Sequence, residues 1–184
     1  MNILYQEIFK RKSFHFFVGG EKTTDEDLKL VSAFINIVEP LYPDIKTAIK
    51  IVPENETTCH RGADYCILFY SETKGDYLRN IGYIGEQIDI ANIVRFTHSA
   101  CNTQPWFVEN KENTLSIYRY KKPGKRGIMP LNKVMFYNQI DIGIFLYILE
   151  TCLKQKGIKY QRELMPDLND SEVEKTLAAN YKIQ

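Results

Sequence analysis

An α+β chain, built on a central, mostly antiparallel sheet flanked by helices, is what three features of the sequence predict. Apolar periodicity reads as helix, strand, strand, helix, strand, strand, helix, strand. That order lacks the strict strand–helix alternation of a doubly wound parallel fold. The second and third helices each follow a tyrosine-bearing strand. They also share an echo, Glu86-Gln87-Ile88-Asp89-Ile90 against Asn138-Gln139-Ile140-Asp141-Ile142. The echo suggests one domain over residues 1–184, made of two related halves, roughly 1–90 and 91–184, about a pseudo-twofold axis.

The elements follow in order. Tyr5–Lys12 carries Ile8 and Phe9 on one face and reads as a short helix with a basic tip. Thr24 before Asp25, Glu26 and Asp27 is a hydroxyl cap with acids in the first turn, a helix start. Leu28, Val31, Phe34, Ile35, Val38 and Leu41 continue at helical spacing until Pro40 and Pro43 end it. Lys46–Val52 alternates, with Ile49 and Ile51 on one face, and Asp64–Ser71 reads as a central strand. From Gly75-Asp76 a long amphipathic helix runs through Ile81, Ile84 and Ile88 toward Val94. Gly82 and Gly85 inside it each cost about 1 kcal/mol of helix propensity, which points to close packing there.

In the second half, Pro105–Val108 and Thr114–Tyr120 read as strands. A basic loop leads to a helix over Asn132–Lys156, with Gly157 as its cap. That helix has more apolar positions around Gln139–Leu149 than one stripe needs, which predicts a homodimer. Ile158–Leu164 reads as a last strand and Ser171 as the start of a short final helix.

Composition narrows the function. The chain has 184 residues and a net charge of +1. A near-neutral chain gives no electrostatic case for nucleic acid or a membrane surface. No run of 18 apolar residues occurs, which argues against a membrane span. At the N-terminus the basic residues follow the apolar part, the reverse of a signal peptide, and the reading is cytoplasmic. Cys59, Cys66, Cys101 and Cys152 show no CxxC spacing, and His15, His60 and His98 are scattered, so no metal site is expected.

Three clusters can carry chemistry. Arg11-Lys12-Ser13-Phe14-His15 sets two cations and a hydroxyl beside aromatics, a set that suits a phosphate or simply caps a solvated helix end. Ser99-Ala100-Cys101-Asn102-Thr103-Gln104-Pro105-Trp106 offers donors and acceptors to a planar heterocycle, or forms a capped turn into a strand with Trp106 in the core. Cys101 lacks an identifiable base for nucleophilic work. Arg119–Arg126 holds a tyrosine among cations and suits phosphate or RNA, though the neutral chain favours a solvated loop. No GxxxxGK[ST], GxGxxG after a strand, HExxH or GxSxG occurs.

The Arg11-Lys12-Ser13 tip and the Ser99–Trp106 run together resemble the nitroreductase family of FMN-dependent oxidoreductases, in the branch with two fused half-units. Ser99, Asn102, Gln104, Pro105 and Trp106 match the spacing of that family's Pro-Ser-x-x-Asn-x-Gln-Pro-Trp segment. The resemblance implies an α+β homodimer with FMN at the interface and NAD(P)H as co-substrate. Hydride would pass to a nitroaromatic, a quinone or a similar small-molecule acceptor. No side chain would be catalytic, since the flavin carries the chemistry. By position, Arg11 and Ser13 would hold the ribityl phosphate, and Lys12 and His15 would face the flavin's polar edge. Ser99, Ala100 and Asn102 would approach the ring from the other subunit, and Gln104 would support them. His15 stands where the family has Arg or Lys, and His98 where it has Pro. Ile90-Ala91 joins stretches that relatives separate by a glycine-containing segment and a strand, which motivates an alternative: a flavin-binding protein with little turnover, for storage or sensing.

Overall fold

The computed structural model describes residues 22–58, 61–90, 105–120, 130–167 and 173–184. Among them, three helices and two antiparallel sheets make an α+β architecture. No helix in this set is long and apolar enough to cross a membrane.

Helix α1 (Asp25–Ile35) starts as the sequence predicts. The Thr24 hydroxyl accepts the Asp27 N–H, and the Asp27 carboxylate accepts the Thr24 N–H, a reciprocal capping box. The second of these partnerships, the bond from the Thr24 backbone N–H, holds the Asp27 carboxyl below its usual range. The helix stops at Ile35, earlier than the apolar spacing suggests. Pro40 disfavours helical geometry at Glu39, and the stretch beyond is claimed by α2 (Tyr77–Ile90) instead. The Asn80 amide takes the Tyr42 N–H and gives to the Tyr42 carbonyl. The Gln87 amide does the same with Glu39. Two turns apart on one helix face, these amides satisfy the backbone of a proline-flanked strap and seat Leu41 in the core.

Strands β1 (Thr47–Pro53) and β2 (Tyr65–Ser71) form a two-stranded ribbon. β2 therefore lies at an edge, not at the centre of a sheet as its apolar run suggests. The loop between the strands is tied by Glu54, whose carboxylate accepts the N–H groups of Arg61, Gly62 and Ala63.

β3 (Trp106–Lys111) and β4 (Thr114–Tyr120) form a hairpin. Glu112 and Asn113 between them both have positive φ, the two-residue turn whose twist matches paired strands. Helix α3 (Val134–Gln155) ends on Gly157 at φ +68, with Ile158 N–H on Leu153 O and Gly157 N–H on Lys154 O, as a glycine-terminated helix should.

β5 (Tyr160–Leu164) and β6 (Lys175–Ile183) complete a four-stranded sheet of order β3-β4-β6-β5. β6 corrects the expected final helix. Leu177-Ala178-Ala179 favours helix locally, but the segment pairs on both sides and buries Ala178, Ala179 and Tyr181 completely, so tertiary burial overrides propensity. A bulge opposite Ile117-Tyr118 leaves Ala178 as the extra residue.

The core lies between α3 and this sheet. Ile142, Leu146 and Leu153 meet Ile117, Ala178, Ala179 and Tyr181, with Tyr83 of α2 and Leu41 closing the other side. Part of the apolar surface of α3 is covered within one chain, by the sheet and by α2, while Ile144 and Ile148 stay half-buried and Phe136 is exposed. The expected close approach at Gly82 is real, because a Cβ there would collide with the Ile140 carbonyl; at Gly85 it would meet only the Phe69 ring at ordinary distance.

Candidate functional site

Arg11, Lys12, Ser13, His15, Ser99, Ala100, Asn102 and Gln104 lie outside the described residues. What is described is the frame that carries the second motif. α2 ends at Ile90, and the chain is described again from Pro105. Pro105 is buried, and its carbonyl accepts the Tyr120 N–H at 2.7 Å. Trp106 stacks on Phe145 of α3, centroids 4.9 Å apart. The Pro-Trp end of the motif is therefore locked onto β4 and α3 rather than left in a loop.

Two buried polar clusters flank this frame. In the first, the Asp167 carboxylate receives Arg119 through Nε at 2.7 Å and a second nitrogen at 3.2 Å, and Arg79 at 3.1 Å. Arg79 also gives to the Met165 carbonyl, Arg119 to the Thr176 hydroxyl, and Asp76 accepts the Asp167 N–H. Both guanidinium groups are fully buried. Two cations and two carboxylates balance, as buried charge must. Arg119 is thereby removed from the basic run Arg119–Arg126 and from any phosphate or RNA surface that run would form; Lys121–Arg126 lies outside the described residues.

In the second cluster Glu150 accepts the Tyr83 and Tyr181 hydroxyls, each at 2.8 Å, and Arg162 at 2.7 Å. It ties α2, α3, β5 and β6 at one point. Burial, then the Glu150 charge, pushes Tyr83, Tyr160 and Tyr181 well above the usual phenol range. A phenol whose folded pKa is raised binds its proton more tightly folded than unfolded. Its stabilisation is complete below about pH 10 and is lost as pH rises further. Alkaline titration followed at the phenolate absorbance should show these tyrosines ionising only together with unfolding, and Glu150→Gln should bring that transition to lower pH.

Sequence reasoning missed both clusters, though a signal was present. Arg119 shares strand parity with Leu115 and Ile117, the inward face of β4. Glu150 interrupts an otherwise apolar helix stretch. The polar residues of the echo are buried as well: Glu86 and Gln87 on α2, Asn138, Gln139 and Asp141 on α3. Asn138 Oδ1 has no hydrogen-bond partner among the described residues.

A phosphate dianion wants a guanidinium and a hydroxyl. The two buried arginines of the described frame are already neutralised by acids and cannot serve. Cys66 and Cys152 are free thiols, half-buried, with burial pushing Cys152 up and away from the reactive thiolate. No protein-family model, no curated protein and no solved structure matches the chain.

Proposed function

We propose that the chain is an FMN-dependent oxidoreductase of the nitroreductase kind, taking hydride from NAD(P)H and passing it to a nitroaromatic, a quinone or a similar acceptor. What supports this reading is the match of Ser99, Asn102, Gln104, Pro105 and Trp106 to the family's segment, of which Pro105 and Trp106 pack on β4 and α3. The flavin, when bound, supplies the hydride chemistry. The protein's part is placement and charge. Arg11 and Ser13 bind the phosphate, Lys12 and His15 add positive charge at the polar edge, and Ser99, Ala100 and Asn102 shape the ring site across a homodimer, with Gln104 as support. No acid–base group is required.

The alternative, a flavin binder with little turnover, rests on the direct Ile90-Ala91 junction. Anaerobic NADH addition separates the two: bleaching of an FMN spectrum, restored by a nitroaromatic, supports the enzyme. A spectrum that NADH and NADPH leave unchanged supports the binder, and a colourless protein that takes up no FMN defeats both. Arg11→Ala should weaken FMN binding about 10- to 100-fold, the loss of roughly 1.5–3 kcal/mol from a charge-assisted pair. Lys122→Ala should change it little. Equal losses would mean that the phosphate lies elsewhere.

A further inference from the structure

The outer face of the four-stranded sheet carries one arrangement twice. On β4, Leu115, Ile117 and Arg119 face the core, so Tyr118 and Tyr120 face outward. β3 sets Phe107 opposite Tyr118, and β6 sets Lys175 opposite Tyr120. The Phe107 ring is tilted against both tyrosines. Its centroid lies 6.3 Å from that of Tyr118 at 55°, and 6.2 Å from that of Tyr120 at 51°. Each tyrosine hydroxyl donates to a carboxylate at 3.1 Å, Tyr118 to Glu109 and Tyr120 to Glu174. Each half is thus a vee of two rings with an acid at its end.

The first vee is filled from within the chain. Lys175 Nζ lies 3.9 Å from the Tyr118 centroid and 4.3 Å from that of Phe107, and it donates to Glu109. One ammonium therefore meets two electron-rich rings and a carboxylate together. The Lys175 bond, then the Tyr118 hydroxyl, holds the Glu109 carboxyl below its usual range. The second vee has the same ring types, separation and acid. Among the described residues no cation lies over the Tyr120 ring and none pairs with Glu174. The Glu174 bond, then its charge, raises the Tyr120 phenol above its usual range. The place is reachable from solvent, since Phe107 is 43% exposed and Glu174 is exposed.

We propose that the Phe107–Tyr120 vee, closed by Glu174, binds an organic ammonium that keeps at least one N–H, either a free alkylamine or the lysine side chain of a partner. This goes beyond the flavin reading, and none of these residues belongs to the cofactor set. The ligand class follows from the filled vee, where rings and acid of the same kind and spacing hold a lysine. Charge excludes the other classes, because a neutral or anionic ligand leaves Glu174 unanswered. The N–H is required because an ionised carboxylate only accepts. A quaternary ammonium keeps the ring attraction and loses that bond. Exposed cation–π contacts are individually weak, so the dissociation constant should lie near millimolar.

Titration of the full chain with n-butylammonium at neutral pH, followed by NMR, tests the site. One site is expected, with the Phe107 and Tyr120 ring signals moving and the ligand's methylene signals shifted upfield. Salt should weaken it. Tetramethylammonium should bind less tightly, and n-butanol not at all. Glu174→Gln and Tyr120→Leu, each with unchanged circular dichroism, should weaken binding by about 10-fold or more, the loss of a charge-assisted bond or of a ring. Lys175→Met opens the first vee and should raise the number of sites from one to two. A capped Gly-Lys-Gly peptide separates the sources. Tighter binding than n-butylammonium assigns the site to a partner's lysine, and equal or weaker binding assigns it to a free amine. A wild type that takes up no n-butylammonium overturns the proposal, and uptake by Lys175→Met alone would show that only the first vee can hold a cation. A Glu174→Gln protein that binds as tightly as the wild type overturns it too, by placing the ligand elsewhere.

Discussion

Asp167→Asn should remove about 3–5 kcal/mol of stability, the cost of leaving a buried cation without its counter-charge. Asp167 is the shared acceptor of Arg79 and Arg119, and its side chain is 1% exposed. Without that charge two fully buried guanidinium groups keep, among the described residues, only the Asp76 carboxylate, which stands 3.5 Å from Arg79. An amide of the same shape cannot accept from Arg119 at both atoms, because one would become a donor facing donors. Set against the roughly 5–15 kcal/mol of a typical domain, the loss is a large share of the total. The thermal midpoint should fall by roughly 10 °C or more. Glu150→Gln should cost less, although Glu150 too accepts from three donors, because the Arg162 side chain is 29% exposed and water can take over its solvation. Guanidinium melts of the two variants, at unchanged slope, measure the difference. An Asp167→Asn loss below that of Glu150→Gln would mean that the first cluster is more hydrated than its burial implies.

The sequence disclosed local structure well where local chemistry decides it. Thr24 with Asp27, the Gly157 cap and the Thr114–Tyr120 strand are settled by interactions within a few residues. It misled where distant pairing decides. Lys175–Ile183 becomes a central strand because β4 and β5 leave a place between them, and nothing in its own composition reports that vacancy. α1 ends early because Asn80 and Gln87, far along the chain, bind the strap behind it. Arg79, Arg119 and Asp167 come from three separated segments, so spacing cannot announce their cluster; only the parity of Arg119 hints at it. The cofactor residues rest on resemblance, and of the run that carries them the fold describes only Pro105 and Trp106, packed on β4 and α3.

Glycine substitutions in α2 and α3 should have opposite signs at positions one helical turn apart. A Cβ at Gly82 would collide with the Ile140 carbonyl, and a Cβ at Gly143 with the Arg79 carbonyl and the Tyr83 amide. These obstacles are backbone atoms of packed helices and cannot turn aside as a side chain would. The contacts are reciprocal: each glycine meets the carbonyl three residues before the other. That relation pairs Gly82 with Gly143, whereas the Glu86–Ile90 echo, extended, pairs Gly82 with Val134. The local symmetry of the crossing is therefore not the register of the sequence echo. Gly82→Ala and Gly143→Ala should each cost at least 1–3 kcal/mol, the range for overpacking a well-filled interior, roughly offset by no more than the 1 kcal/mol that alanine gains in helix propensity. Arg79 sits at the collision point, so Gly143→Ala should also disturb the Asp167 cluster and couple to Asp167→Asn in a double-mutant cycle. At Gly85 the new methyl would meet the Phe69 ring at 3.8 Å, ordinary contact, and Gly85→Ala should stabilise by about 0.5–1 kcal/mol. Denaturant melts of the three variants decide it, and a Gly82→Ala protein as stable as Gly85→Ala would show that the two helices can part at no cost.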